Sequence, residues 1–181
     1  PYAIAPAVVG VMANYFFSER FGLLYHLFNN LWGFNWYQDV FDAYIYVVIA
    51  GSWKQISANF IFFLAGLQAI QKTIIEASII DCKSNIRRFW TITFPLLMPT
   101  TFFLIIINIT YSFFDTFGII DTTTIGAPGS ETKTLVYKAY IDGFKGLDLG
   151  SAGAQSIMMM LIVLVITIFQ FRYIEGKIHY N

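Results

Sequence analysis

Residues Thr73–Pro99, TIIEASIIDCKSNIRRFWTITFPLLMP, are the stretch on which the fold turns. Glu76, Asp81, Lys83, Arg87 and Arg88 crowd into it, in a chain otherwise poor in charge, and long apolar segments flank it on both sides. Such a stretch is ill suited to hydrocarbon and its neighbours are ill suited to water, so it reads as a surface loop between membrane spans. Thr73 and Glu76 have capping-box spacing: a hydroxyl can take one orphan amide and the carboxylate three residues on can take another. The spacing predicts a short helix from Thr73 through Ile75 and Ile79. Asp81 falls where that helix would end, and an acid there opposes the macrodipole. A turn is therefore expected at Asp81–Ser84, with Ser84 or Asn85 capping a second short helix that carries Arg87, Arg88, Phe89, Trp90 and Ile92. Pro95 then opens the next long segment. Two short amphipathic helices at a bend make a docking knob, although a capped interfacial helix without a partner fits the local pattern equally well.

The composition agrees with a membrane protein. Hydrophobic residues make up 57% of the 181 and charged residues 12%, where a soluble domain carries roughly a quarter charged residues. Mean hydropathy is +0.62. A net charge of zero argues against a polyanion-binding protein, and so against nucleic acid as a partner. One cysteine cannot close an intrachain disulfide. The chain starts at Pro1 without a signal-peptide pattern, and is expected to be a fragment lacking N-terminal spans.

Outward from the knob, hydropathy predicts four spans, at about 2–17, 43–69, 95–117 and 150–171. The first is short against the roughly 20 residues a bilayer core requires. An aromatic interfacial loop joins the first two spans over 18–42. A second loop, 118–149, holds a turn at Gly126-Ala127-Pro128-Gly129 and a helical stretch near 132–142, and a polar tail follows Arg172. The fold class is all-α, a polytopic membrane helix bundle in one domain, 1–181. Lys72, Lys83, Arg87 and Arg88 in the knob and Arg172 and Lys177 in the tail outnumber the single Arg20 of the first loop. The positive-inside rule makes knob and tail cytoplasmic, although Lys133, Lys138 and Lys145 weaken the asymmetry.

Lys54 sits in a polar patch, Ser52 to Asn59, inside the second span. It lies about twelve residues from Asp42, roughly 18 Å along a helix, near the middle of a core about 30 Å thick. A central lysine is expensive in lipid and should face a cavity or a partner. Ser52, Gln55 and Asn59 share one face. Asn108 and Tyr111 could line the same cavity, or join an interhelical hydrogen bond. Both a translocation pathway and a structural polar seam with Lys54 paired or snorkelling stay open. Asp115 reads as a cap or interface anion, and Gly150, Gly153 and Ala154 as small-residue packing of the last span. His26 and His179 are isolated, so no metal site is supported. A Walker-type phosphate loop is missing from the sequence, as is a nucleophile–base pair, so no catalytic residue is assigned.

Glu76-Ala77-Ser78 with Asp81, then Phe89, Ile92 and Pro95, resembles the EAA loop of bacterial ABC-importer permeases. GLQAI at 66–70 and Thr124-x-Gly126-x-Pro128 resemble the maltose-permease-like branch. FFDTFGIID (113–121), LVYKAYIDGFKGLDLGSAGAQS (135–156) and QFRYIEGKIHY (170–180) extend the resemblance toward the A-type permease subunits of sn-glycerol-3-phosphate importers. The resemblance implies a type I permease domain with about four of six spans present, in the bacterial inner membrane. It makes residues 73–94 the coupling loop that seats in the ATPase through Glu76, Ala77, Ser78, Asp81, Cys82, Arg87, Arg88 and Phe89. Lys54, Gln55, Asn59, Asn108 and Tyr111 become translocation-pathway candidates, with Lys54 able to attract a phosphate. Arg87 and Arg88 could instead hold anionic lipid headgroups, at about 1 kcal/mol each. The implied partners are an ABC ATPase dimer, a second permease forming a heterodimer, a periplasmic solute-binding protein and membrane lipids. No cofactor is expected on this chain, since ATP and Mg²⁺ belong to the ATPase. A sugar importer of the same branch is the nearer alternative, and an ATP-independent channel or scaffold the more distant one. One departure stands out: Cys82 occupies the turn position where the family has Gly, a steric cost if the turn needs φ > 0.

Overall fold

The computed structural model describes residues 1–82 and 84–174, without the side chains of residues 81, 173 and 174. Lys83 of the expected turn and Lys177 and His179 of the expected tail lie outside the described residues. Helices form the frame, and no strand occurs among the described residues. We number them α1 (Pro6–Phe16), α2 (Leu23–Trp32), α3 (Val40–Ala69), α4 (Lys72–Asp81), α5 (Asn85–Leu96), α6 (Met98–Phe114), α7 (Phe117–Thr122), α8 (Leu135–Tyr140) and α9 (Leu149–Ile174).

Among the described residues two helices, α3 and α9, are each long and apolar enough to cross a membrane. The third expected span is a bent pair: α5 meets α6 at 69°. Pro95 therefore does not open a segment as expected; it lies inside α5, and the break falls at Leu97. Pro95 and Pro99 each remove a backbone donor near that point, and Leu97 takes φ −85°, ψ −4°. The first expected span, 2–17, is only the 11-residue α1. Proline at 6 holds Ala5 extended at φ −59°, ψ 140°, so the helix cannot begin further upstream.

The core lies where α1, α3 and α7 meet. Val9, Ala13 and Phe17 recur every four residues and are buried against Ala43, Tyr46, Ala50 and Ile119. A Cβ at Gly10 would collide with the Thr122 hydroxyl and the Ile119 carbonyl, so glycine there permits α1 and α7 their close approach. Asn14 ties three helices: its amide donates to the Thr122 carbonyl and accepts from Tyr46 Oη at 2.6 Å. Gly33, at φ 76°, ends α2 in the left-handed conformation that favours glycine. The chain then turns Phe34 and Trp36 inward, where Phe17 lies 5.6 Å from Phe34 and Tyr46 4.9 Å from Trp36 between ring centroids.

Asp39 starts α3 by accepting from the amides of Phe41 (2.7 Å) and Asp42 (3.3 Å), as an N-cap carboxylate should. Asp42, buried in the first turn, accepts from Asn35 N at 2.7 Å and Trp32 Nε1 at 3.2 Å. It thereby anchors the 18–42 loop to α3. At the other flank, α9 packs on α8 and α6: Gln155 Nε2 donates to Asp142 at 2.5 Å and Phe171 meets Phe102 at 5.3 Å. Gly143 lies close against α9, where a Cβ on it would stand 2.9 Å from Ala152. The small-residue face expected of Gly150, Gly153 and Ala154 is not the packed one; nothing approaches a Cβ built on Gly153 within 4 Å, and Ala154 is exposed. The helical stretch expected at 132–142 lies later, with α8 extended by a π-type turn over Ile141–Lys145. Burial, then the facing Asp121 carboxylate, raises the Tyr137 phenol and keeps it neutral at physiological pH.

Asp42→Ala strands two donors at once. We expect the unfolding free energy in detergent to fall by about 1–3 kcal/mol, as for a buried donor left unpaired, measured by denaturant titration; Asp42→Asn should retain part of the loss.

Candidate functional site: a polar groove and an exposed knob

A groove of about 440 Å³ runs between α3 and α6 and is closed at one end by the loop after α7. From α3 come Tyr44, Gly51, Ser52 and Gln55; from α6 come Asn108, Tyr111 and Ser112, with Thr116 just beyond it; from the loop come Thr132 and Thr134. Three of the expected pathway residues, Gln55, Asn108 and Tyr111, thus share one wall system. Asn59 lies next to them without lining the groove. Its amide pairs reciprocally with Asn108, with Nδ2 to Oδ1 distances of 3.2 and 2.8 Å, and Asn108 also donates to the Leu104 carbonyl at 2.7 Å. This is an interhelical lock between α3 and α6, reinforced by Phe62 against Phe103 at 5.3 Å.

Lys54 stands behind the groove. It is 7% exposed, donates to the Tyr2 carbonyl at 3.2 Å, and lies 4.8 Å from the Tyr2 ring centroid and 5.5 Å from that of Tyr111. Tyr111 is therefore the partition between amine and groove. Gln55 is 4% exposed. Its Oε1, Tyr111 Oη and Thr134 Oγ1 are buried without a hydrogen-bond partner, and all three residues line the groove. Buried polar atoms are ordinarily paired; these three oxygens stand among apolar lining from Val47, Val48 and Ile120.

The closing loop is held by its own hydroxyls. Gly126 takes φ 89°; the Thr132 hydroxyl bridges the Thr124 hydroxyl at 2.9 Å and the Ala127 carbonyl at 2.8 Å. Tyr44 Oη donates to the Glu131 carbonyl at 2.8 Å, tying loop to α3 over the groove. Sequence reasoning missed Thr132 and Thr134, which only the return of the loop brings here. It could have found Ser112 and Thr116, since Asn108, Ser112 and Thr116 repeat every four residues.

In the knob, Glu76 and Ala77 are exposed, whereas Ser78 is buried and donates to the Ile75 carbonyl at 2.6 Å. The capping box does not form: α4 begins at Lys72, one residue before the Thr73 hydroxyl, with Gln71 extended as N-cap and no side-chain cap. Thr73 is thus already inside the first turn, where its side chain cannot serve as cap. Asp81 is the last residue of α4. Cys82 follows at φ −126°, ψ 105°, an ordinary extended conformation, so the steric cost expected of Cys in place of Gly is not incurred. Ser84 leads into α5 without a side-chain cap. Arg87 is exposed; Arg88 donates to Asn85 Oδ1 at 3.1 Å. Phe89 stacks edge-on to Trp90 at 5.3 Å, within a π-type turn over Phe89–Thr93. Asp115 ends α6 through its backbone amide, bonded to the Tyr111 carbonyl at 2.9 Å.

Apolar spans, an interhelical groove and a charged knob in an all-helical bundle are the architecture of a membrane component. The chain belongs to the family described as binding-protein-dependent transport system inner membrane component, whose model matches residues 1–180. It is 52% identical over 183 positions to the sn-glycerol-3-phosphate transport system permease protein UgpA of Rhizobium meliloti (strain 1021), covering 100% of this chain and 62% of that protein. The protein of the same name from Agrobacterium fabrum (strain C58 / ATCC 33970) is also 52% identical, and that of Escherichia coli O6:K15:H31 (strain 536 / UPEC) 48%, with the same coverage. The chain spans 62% of the length of these curated relatives.

Asn59→Ala or Asn108→Ala leaves one amide facing apolar neighbours. Each should lower stability in detergent by about 0.5–2 kcal/mol, and the double variant should lose less than the sum of the two, measured by a double-mutant cycle on thermal or denaturant unfolding.

Proposed function

We propose that this chain is the transmembrane permease subunit of an ATP-driven, binding-protein-dependent importer and that its solute is sn-glycerol-3-phosphate. The observation that carries the reading is whole-chain identity of about half to permeases named for that solute. In this reading the permease has no catalytic site and takes no cofactor; ATP and Mg²⁺ sit on a partner ATPase dimer. A second permease, an external solute-binding protein and the surrounding lipids complete the assembly. The knob and the C-terminal end face the cytoplasm, in keeping with the Lys72, Arg87 and Arg88 cluster.

Glu76 and Ala77 offer the ATPase an exposed acidic and small-residue face, with Arg87 and Phe89 beside it across the turn. The path from there to the groove is short. α5 carries Arg87, Arg88 and Phe89, bends by 69°, and continues as α6, which supplies Asn108, Tyr111 and Ser112 to the groove. A pull on the knob thus tilts one wall of the groove against α3. The pathway residues are Gln55, Asn108 and Tyr111 on the wall, with Asn59 and Lys54 behind it.

The test uses the permease at the length of its relatives, co-expressed with its ATPase, second permease and binding protein, in proteoliposomes. Glycerol phosphate with binding protein should stimulate ATP hydrolysis where maltose does not, and Glu76→Lys should return hydrolysis to the level without binding protein. Stimulation by maltose alone would replace the solute. Failure of the ATPase to copurify would overturn the importer reading itself.

A further inference from the structure

The buried amine of Lys54 has no part in the coupling described above. It lies inside α3, 7% exposed, where an uncompensated cation is costly. Among the described residues its amine contacts are the Tyr2 carbonyl at 3.2 Å and the rings of Tyr2 and Tyr111. None of these is an anion. A carbonyl and two π faces hold an ammonium in place while leaving its charge unneutralised, so a counter-anion arriving nearby would gain more than in water. Beyond the Tyr111 ring lies the groove, with Gln55 Oε1, Tyr111 Oη and Thr134 Oγ1 unpartnered on its wall. Gln55 is buried, so its orphaned oxygen belongs to a built wall and not to a surface side chain.

We propose that Lys54 is the charge-selecting residue of the groove: its ammonium takes the phosphate of a small phosphorylated polyol, while Gln55, Tyr111 and Thr134 hydrogen-bond the hydroxyl groups. The assignment rests on the importer reading above. The chemistry is complementary at both ends. Gln55 Oε1 accepts from a solute hydroxyl, and the hydroxyls of Tyr111 and Thr134 can donate or accept. A three-carbon phosphomonoester is well within a volume of about 440 Å³. Lys54 is four methylenes long and follows Trp53 on the turn that presents Ser52 and Gln55 to the groove, so the assignment requires its amine to leave the Tyr2 carbonyl and reach past the Tyr111 ring. A neutral sugar offers no gain for that movement, which makes the lysine a discriminator and not a general anchor.

The experiment compares wild type, Lys54→Arg and Lys54→Met in the reconstituted complex, measuring uptake of labelled sn-glycerol-3-phosphate alongside ATP hydrolysis. Loss of a charge-assisted contact should cut uptake of glycerol phosphate by about 10- to 100-fold in Lys54→Met, while Lys54→Arg keeps uptake within a few-fold. Stimulation of ATP hydrolysis by liganded binding protein should persist in Lys54→Met, because the knob is untouched; its loss would mark a structural role and overturn the assignment. Glycerol phosphate uptake that survives Lys54→Met within twofold overturns the lysine assignment and leaves the importer reading standing. A wild-type complex that takes up maltose and not glycerol phosphate overturns the solute and the lysine assignment with it. Should Lys54→Met fail to assemble, Lys54→Gln, whose amide can still meet the Tyr2 carbonyl, carries the same expected loss.

Discussion

A polar side chain in an apolar bundle has to find its partner within the protein, because hydrocarbon offers none. Apolar faces alone set no register between helices, since lipid tails are as apolar as leucine. The directional contacts therefore decide how the helices meet. Asn14 fixes α1 against both α3 and α7, and the Asn59–Asn108 amide pair fixes α3 against α6. Asp42 does the same for the 18–42 loop, accepting from two donors of that segment beside the Trp36–Tyr46 contact. Glycines at 10 and 66 let these contacts form, because a Cβ at either would meet a threonine side chain on the facing helix.

That rule is relaxed at the groove, as it is elsewhere at Asn35, Trp36, Tyr137, Gln155 and Gln170. Gln55, Tyr111 and Thr134 keep buried polar atoms without partners beside a helix pair otherwise locked by amides. Unsatisfied polar groups cluster at functional sites because the structure around them over-determines their position. Here the over-determination has identifiable sources: the Asn59–Asn108 lock one turn away, and the Thr124–Thr132 hydroxyl pair that holds the closing loop. The knob lies at the far end of the same helices, so the rigid and the unsatisfied parts belong to one mechanical unit.

Much of this was legible from residue order. α3 followed from an apolar segment of spanning length broken only by the Ser52–Asn59 patch, although its start at Val40, capped by Asp39, lies inside the stretch that read as loop. The polar face of Ser52, Gln55 and Asn59 followed from helical spacing. The errors have physical causes. Pro95 suggested a boundary, but proline also fits the first turn of a helix segment, and the actual break needed a second proline at 99 and the packing of Leu97. Thr73 and Glu76 had the spacing of a capping box, yet Lys72 and Thr73 were already helical, and a spacing rule does not say where a helix begins. Cys82 looked strained only on the assumption of a left-handed turn. Thr132 and Thr134 reach the groove through a loop that folds back across it, a tertiary event with no local signal, and the same holds for Tyr2 beneath Lys54.

The π-type turn at Phe89–Thr93 has a consequence for alignment of the knob with the spans. Such a turn accommodates one residue more than an α-helix of equal rise, and each residue of an α-helix turns the chain by about 100°. Deleting a single residue there would restore plain α geometry and leave every hydrogen bond of α5 formable. Because the wide turn absorbs that extra residue, the deletion would leave Arg87 and Arg88 near their present azimuth relative to α6, whereas the same deletion in a plain α turn would rotate them by about 100°. The turn is a phase buffer: it carries an additional residue into the knob without turning the knob's cations away from their bearing on the spans.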